Sequence, residues 1–350
     1  MLSQLQMAVA NWLRRLAEET GAFSVAEVTT SARQRDTEWQ PDLVAKLMPA
    51  GNRTPVRLEM EVKSRITPAE ALGTLERMEA AKGRSAMVLC SPSISQRVTQ
   101  LCRERGIGYL DEAGNCRIAA PGFFIQIEGR DSARPDTRPT VDVFAPKSSR
   151  IARVLLTSPK RGWQVQALAR EAQISLGLAS KTKRALVEQA FAEERVRLLY
   201  LRDPEQLLRA WSERYNSTKV RPVGLYALER PPKVEQRIGQ WCKGAGKRYA
   251  LTEFSAALLM APMVRYNRSS VYFESPIEDM IAALGFKMVD MGANLLVWTP
   301  YDASVFYDLR EINDLSVVSP IQAYLDLVGE PGRGEEAARE ILEKKIKPTW

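Results

Sequence analysis

Not one histidine occurs among the 350 residues. Ser-His-Asp and Cys-His catalysis, HxH metal sites and the usual zinc fingers all need an imidazole, so none of them can operate here. Cysteine is scarce as well. Cys90, Cys102, Cys116 and Cys242 show no CxxC spacing, which fits a reducing cytoplasm rather than a disulfide framework. No apolar run reaches the roughly eighteen residues of a membrane span, so no membrane partner is expected. The opening MLSQLQMAVANWLRRLAEETG reads as an amphipathic helix and lacks the charge, apolar core and small-residue order of a signal peptide. Hydrolysis, if there is any, is left to carboxylates, lysine and a hard cation.

What is present is ordinary in amount and uneven in placement. Hydrophobic residues make up 45% and charged residues 26%, the balance of a folded chain with room for two or three domains. The net charge is +8. From Pro146 to Tyr215 there are fourteen Lys and Arg against seven Asp and Glu, so nearly all of that excess sits in one middle segment. A local basic block is the electrostatic footprint of a phosphate-backbone binder.

One stretch carries the chemistry: PDLVAKLMPAGNRTPVRLEMEVK, Pro41 to Lys63. In VRLEMEVK, a period of two puts Leu58, Met60 and Val62 on one strand face and Glu59, Glu61 and Lys63 on the other. Acids and a lysine on a half-buried strand must be solvated, paired or bound to a cation. With Asp42 on the neighbouring strand, carboxylates and an ammonium meet at one sheet edge, which suits a hard divalent metal. An exposed strand with a cross-strand Lys/Glu pair is the plainer alternative for so short a pattern. The spacing resembles the PD-(D/E)xK nuclease signature, with Asp42 as first acid and Glu61-Val62-Lys63 as the ExK. That resemblance implies catalytic Asp42, Glu61 and Lys63, a Mg2+ or Mn2+ ion held by the two acids, and a lysine that positions the attacking water. Glu59, and Glu19 at the end of the leading helix, are the further candidate metal ligands.

The order helix, strand, strand, helix, strand, helix, strand predicts a mixed α/β domain over residues 1–130, matching a restriction-endonuclease-like core. In it Thr67-Pro68-Ala69-Glu70 starts a helix, and Asp111 is read as structural. Residues 131–147, rich in Pro, Asp, Arg and Thr, read as a linker. Over 148–218 the pattern is helix, helix, turn, helix, strand pair, the layout of a winged helix-turn-helix. Ser175 caps its third helix, on which Leu178, Ala185 and Leu186 turn inward. Ser180, Lys181, Lys183 and Arg184 stay outside as candidates for the DNA groove, with Arg195 and Arg197 on the wing as backbone contacts. A solvated helix face, or a protein-contact module, is the alternative.

Residues 219–350 read as an α+β region: a helix starting at Tyr249, strands at Val271–Phe273, Ala293–Trp298 and Val305–Tyr307, and a last helix from Gly334. Glu274, Glu278, Asp302 and Asp308 share no motif spacing. Four phrases here, Ala250-Leu251-Thr252…Ala256-Ala257, Val264-Arg265-Tyr266-Asn267-Arg268, Val318 to Leu327 and Pro331 to Ala338, resemble the AbiEi-type antitoxins and regulators of type IV toxin–antitoxin systems. The resemblance covers the winged helix and the C-terminal region. It implies autoregulatory DNA binding and a nucleotidyltransferase-like C-terminal fold without evident transferase residues. Two functions follow as expectations. One is a Mg-dependent endonuclease directed to double-stranded DNA by the winged helix, in defence or mobile-element biology. The alternative is a non-catalytic regulator or antitoxin that represses its own operon, with a cognate toxin or a second copy of the chain as partner.

Overall fold

The computed structural model describes residues 3–30, 39–51, 54–81, 83, 85–131, 141–215, 221–261, 266–330 and 332–350. Met1, residues 132–140 of the expected linker, 216–218, and Val264, Arg265 and Pro331 of the quoted phrases lie outside them. The chain divides into two compact units, Met1–Thr140 with Glu188–Ala190, and Val141–Val187 with Phe191–Trp350. Both are mixed α/β.

The first unit begins with α1 (Gln4–Thr20), held at its start by a capping box in which Ser3 and Gln6 bond each other's backbone N–H. Then follow β1 (Phe23–Thr29), β2 (Leu43–Pro49), β3 (Val56–Val62), α2 (Pro68–Ala80), β4 (Ala86–Ser91), α3 (Gln96–Glu104), β5 (Gly108–Asp111), β6 (Cys116–Ala120) and β7 (Phe123–Ile127). The seven strands lie side by side in sequence order, with parallel pairs only at β3–β4 and β4–β5. Parallel neighbours need a crossover, and α2 and α3 supply the two. Alternation divides the core. Leu58, Met60, Val88 and Cys90 pack with Val9, Leu13 and Leu16 of α1. Met87 and Leu89 pack on the other face with Leu72, Leu75 and Met78 of α2 and Val98 and Leu101 of α3. Strand β1 was not expected: its half-exposed edge carries no clean alternation.

The second unit opens with α4 (Pro146–Thr157), whose first turn takes Pro146 and Lys147 out of the expected linker. Next come α5 (Val165–Glu171), α6 (Leu176–Glu188), the hairpin β8 (Ala192–Arg195) and β9 (Leu198–Leu201), and α7 (Pro204–Tyr215). The rest is β10 (Val223–Tyr226), α8 (Pro231–Ala245), β11 (Tyr249–Leu251), α9 (Glu253–Met260), β12 (Ser269–Phe273), α10 (Ile277–Leu284), β13 (Lys287–Met288), β14 (Leu295–Trp298), β15 (Arg310–Ile312), β16 (Leu315–Val317), α11 (Pro320–Val328) and α12 (Gly334–Ile341). The sheet order is β13-β10-β14-β12-β11-β16-β15.

Two expectations are corrected here. Tyr249–Leu251 is a strand paired on both sides, with β12 and β16, and the helix starts only after Thr252. Three apolar residues before a cap look alike as strand end or helix start, and only the neighbouring strands decide. Val305 and Phe306 belong to a 3-10 turn, Ala303–Phe306, capped by Asp302 whose carboxylate accepts from Ser304 N–H.

One buried cluster joins the two ends of this unit. Ile151 and Leu155 of α4, Leu186 of α6, and Leu208 and Trp211 of α7 share a core with Tyr272, Val317, Ile321, Leu325 and Ile341. The helices that carry the basic segment are therefore built onto the same interior as the C-terminal sheet. On the sheet's other face Val234, Ile238 and Met280 of α8 and α10 pack with Leu251, Val271 and Phe273.

Candidate functional site

Two places bring expected site residues together, one in each unit. In the second unit, α5 and α6 meet at a tight turn in which Gln173 has a positive φ of 51°. Ser175 then accepts from Leu178 N–H at 3.2 Å, starting α6. Ala179, Thr182, Ala185 and Leu186 are the buried residues of α6, an inward stripe at helical spacing. Leu178, expected inside, is only half-buried, and Thr182 takes the place below it. Ser180, Lys181 and Arg184 stand exposed on the opposite side. Lys183 is different: its ammonium donates to Glu194 of β8 at 2.7 Å and is half-buried.

A further strand bridge joins the hairpin to the stretch just before α5, with Trp163 and Leu199 exchanging both backbone hydrogen bonds at 2.9 Å. Arg161 lies over the Trp163 ring at 3.8 Å. Arg195 pairs with Glu193 and lies over Tyr200, so its charge is partly answered within the hairpin. Arg197 is exposed at the tip. Among the described residues no ion pair holds Lys181, Arg184 or Arg197. Three uncommitted cations thus project from one helix and one hairpin tip, as a polyanion site requires.

The tip itself is strained. Val196 and Arg197 have φ of 49° and 63°, the two left-handed residues of a two-residue hairpin turn. A β-branched side chain is an outlier there. Val196 is 95% exposed, so no packing offsets the strain. Val196→Asn should raise stability by about 1 kcal/mol, read as a higher urea midpoint at unchanged slope. An unchanged midpoint would show that the turn is not strained.

In the first unit, Asp42 sits at the mouth of β2, where its N–H donates to Met60 C=O at 2.9 Å. Its Oδ2 accepts from Val62 N–H at 2.8 Å, so the carboxylate closes the end of the β2–β3 ladder. Glu61 lies on the α2–α3 face of β3 and is buried. Lys63 Nζ is 2.7 Å from Glu61 Oε1, and Trp39 Nε1–H donates to Glu61 Oε2 at 2.8 Å. Burial raises the Asp42 pKa; the Val62 N–H opposes this, the Glu61 charge adds to it, and Lys63 lowers it. Glu61 and Lys63 are therefore paired, with Asp42 on the adjoining strand end near enough to feel both their charges.

The other two acids do not join them. Glu19 pairs with Arg130 at 2.8 Å, and Glu59 with Arg57 at 3.1 Å. Among the described residues no group of three or more acidic or cysteine side chains is arranged for a metal ion. Two carboxylates with water suit magnesium in kind and in number. Both oxygens of Glu61 are already engaged, however, by the indole and the ammonium, and a cation would have to share them. Asp111, expected to be structural, accepts from Asn115 N–H and Nδ2–H, both at 2.9 Å, and closes the β5–β6 turn.

Sequence patterns missed three side chains of consequence. Trp39 orients Glu61. Arg153 of α4 is wholly buried, and so is Asp326 of α11. A lone acid inside the apolar run Ile321–Val328 was the available signal for Asp326. All four cysteines are free and buried, and burial pushes the Cys102 and Cys242 thiols up to about 12 and Cys116 to about 11. They are inert as nucleophiles.

A mixed α/β chain with a basic helix-and-hairpin module is the class these observations define. Residues 200–347 match the family described as transcriptional regulator, AbiEi antitoxin, of the type IV TA system. The match begins in β9 and runs to the last helical turn, leaving α4 to α6 and the whole first unit outside it. No curated protein matches the chain. Among the described residues no helix is long and apolar enough to cross a membrane.

Proposed function

We propose that this chain is a DNA-binding transcriptional regulator of the antitoxin type, which grips double-stranded DNA through a winged helix-turn-helix. Helix α6 is the groove-reading helix and the β8–β9 hairpin the wing. One observation carries the reading: the basic module shares a single buried core with the stretch that matches the regulator family. Lys181 and Arg184 reach the groove, Ser180 bonds phosphate or base, and Arg197 touches backbone from the wing. Lys183 and Arg195 act less directly, since each is held by a glutamate. Autoregulation makes the DNA upstream of the chain's own coding sequence the first target, with a cognate toxin or a second copy as further partner. A footprint on that DNA, with log affinity falling against log salt, is the test. Binding indifferent to salt and to competitor duplex would overturn it in favour of a protein-contact role.

A second reading is favoured by the pair of Glu61 and Lys63 with Asp42 close by: the first unit is a restriction-endonuclease-like domain that cuts DNA. Asp42 and Glu61 would hold magnesium or manganese, which when bound supplies an activated water and offsets phosphoryl charge. Trp39 fixes the Glu61 carboxylate, and Glu61 in turn sets the Lys63 ammonium at the edge of the sheet. On this reading purified protein nicks duplex in Mg2+ or Mn2+, and Lys63→Ala reduces the rate by at least about 100-fold, the scale of losing one charged group at a phosphoryl site. Lys63 is part-exposed, so the variant should fold normally. Intact DNA after incubation with either metal leaves the regulator reading alone.

A further inference from the structure

Leu176 is the first residue of α6 and stands 49% exposed. A lone leucine at a surface is ordinary, but the setting of this one is not. The turn ahead of it is secured without its help. Ser175 caps the helix, and Ile174, in the place of a hydrophobic staple, packs against the core, whereas Leu176 does not. Spacing then puts Leu176 in particular company. Leu176, Ser180 and Arg184 follow at four-residue intervals, so they lie one above the next on a single helix face, with Lys181 alongside. Ser180, Lys181 and Arg184 are exposed there, and among the described residues no ion pair holds the two cations. Gly177 borders the same face and has nothing within 4 Å of the point where a side chain would begin, so the backbone itself is open to close approach.

The first turn of α6 carries no acid. A carboxylate there would be favoured by the helix dipole, and its absence leaves nothing to repel a polyanion. An apolar side chain on a cationic face fits a partner that is anionic at its rim and apolar at one point within. The major groove of duplex DNA is such a partner: phosphates border it, and the C5-methyl of thymine is its apolar feature. We propose that Leu176 seats against a thymine C5-methyl group in the major groove and so makes thymine part of the sequence that α6 prefers. This rests on the DNA-binding reading above and adds to it the base that the helix selects. Residues at the start of a groove-reading helix are the ones that reach base edges, which is where Leu176 stands. The contact is worth one buried methyl group, about 4-fold in affinity. It carries no charge, so it displaces no counterion and leaves the salt dependence alone.

A pool of random duplexes, selected with the full chain, gives the preferred site. Each thymine in that site is then replaced in turn by uracil, which pairs identically and lacks only the methyl group. At one thymine for each bound module, uracil should lower wild-type affinity about 4-fold. Leu176→Ala should lose the same factor on the thymine site and be indifferent to uracil there, the signature of a direct contact. Its affinity should fall with salt as steeply as the wild type's. Alanine suits a helix, so the melting temperature should not drop. Leu228→Ala trims a more exposed leucine outside the module and should keep full affinity. Uracil tolerated at every position, a selected site without thymine, or uracil sensitivity unchanged in Leu176→Ala each overturns the proposal and leaves the DNA grip standing. So does binding that prefers no duplex, or an equal loss in Leu228→Ala. No binding to duplex at all overturns the DNA-binding reading together with this one.

Discussion

Alanine in place of both Lys181 and Arg184 should lower affinity for the upstream duplex about 100-fold, with the unfolding midpoint unchanged. An arginine that reads a base edge is worth about 1–3 kcal/mol, and a lysine on phosphate adds a uniform term and about one unit of salt slope. Together they give the factor stated, since about 1.4 kcal/mol is tenfold. Stability is spared because both side chains are exposed and neither is held by an ion pair among the described residues. Lys183→Ala is the internal control. Its ammonium is committed to Glu194 at 2.7 Å, so its loss should cost far less affinity and a little stability. Equal losses at 181, 183 and 184 would point to diffuse charge attraction rather than a helix seated in a groove. No loss at 181 and 184 would remove α6 from the interface altogether.

The contrast between Lys181 and Lys183 also shows where the sequence stops informing. Their order along α6 follows from helical periodicity, and both were expected outside. That Lys183 leans toward Glu194 depends on the hairpin folding back beside the helix, which no local pattern encodes. The same holds for the acids. The alternation in VRLEMEV placed Glu59 and Glu61 on one face, and β3 keeps it as far as Met60, after which Glu61 is buried and Val62 only half-buried. Yet Glu59 is taken by Arg57 two residues away, while Glu61 is taken by Trp39 from another part of the chain. Capping signals are legible in the sequence: Thr67 and Glu70 form the capping box that starts α2. Helix α8 carries the same kind of signal, Pro at its start and Gly246 in a left-handed conformation just past its end. The shared core of the second unit was not legible, because it joins residues more than a hundred positions apart.

That core contains the group whose loss should be felt most. Asp326 accepts from Tyr215 Oη at 2.9 Å, Tyr272 Oη at 3.0 Å, Thr252 Oγ1 at 2.5 Å and Gln322 Nε2 at 2.9 Å. The donors come from α7, β12, the start of α9 and α11 itself, so one carboxylate ties the end of the basic module to the sheet behind it. Burial first, and the Asp326 charge second, hold both tyrosine hydroxyls well above their usual range, so they remain donors at any working pH. Asp326→Ala leaves four enclosed donors without their acceptor and should destabilise the second unit by about 3–5 kcal/mol. Asp326→Asn keeps one carbonyl and turns an amide toward donors, which should cost roughly half as much. Tyr215→Phe removes the bond it donates to Asp326 and the one it accepts from Gln322 Nε2 at 2.7 Å, and should cost about 1–2 kcal/mol. Urea unfolding of the three variants gives the order. If Asp326→Ala costs no more than Tyr215→Phe, the carboxylate is not the hub of the network. If the order holds, DNA affinity should fall with the fraction folded in Asp326→Ala, while cleavage or metal response in the first unit, if any, should not follow it.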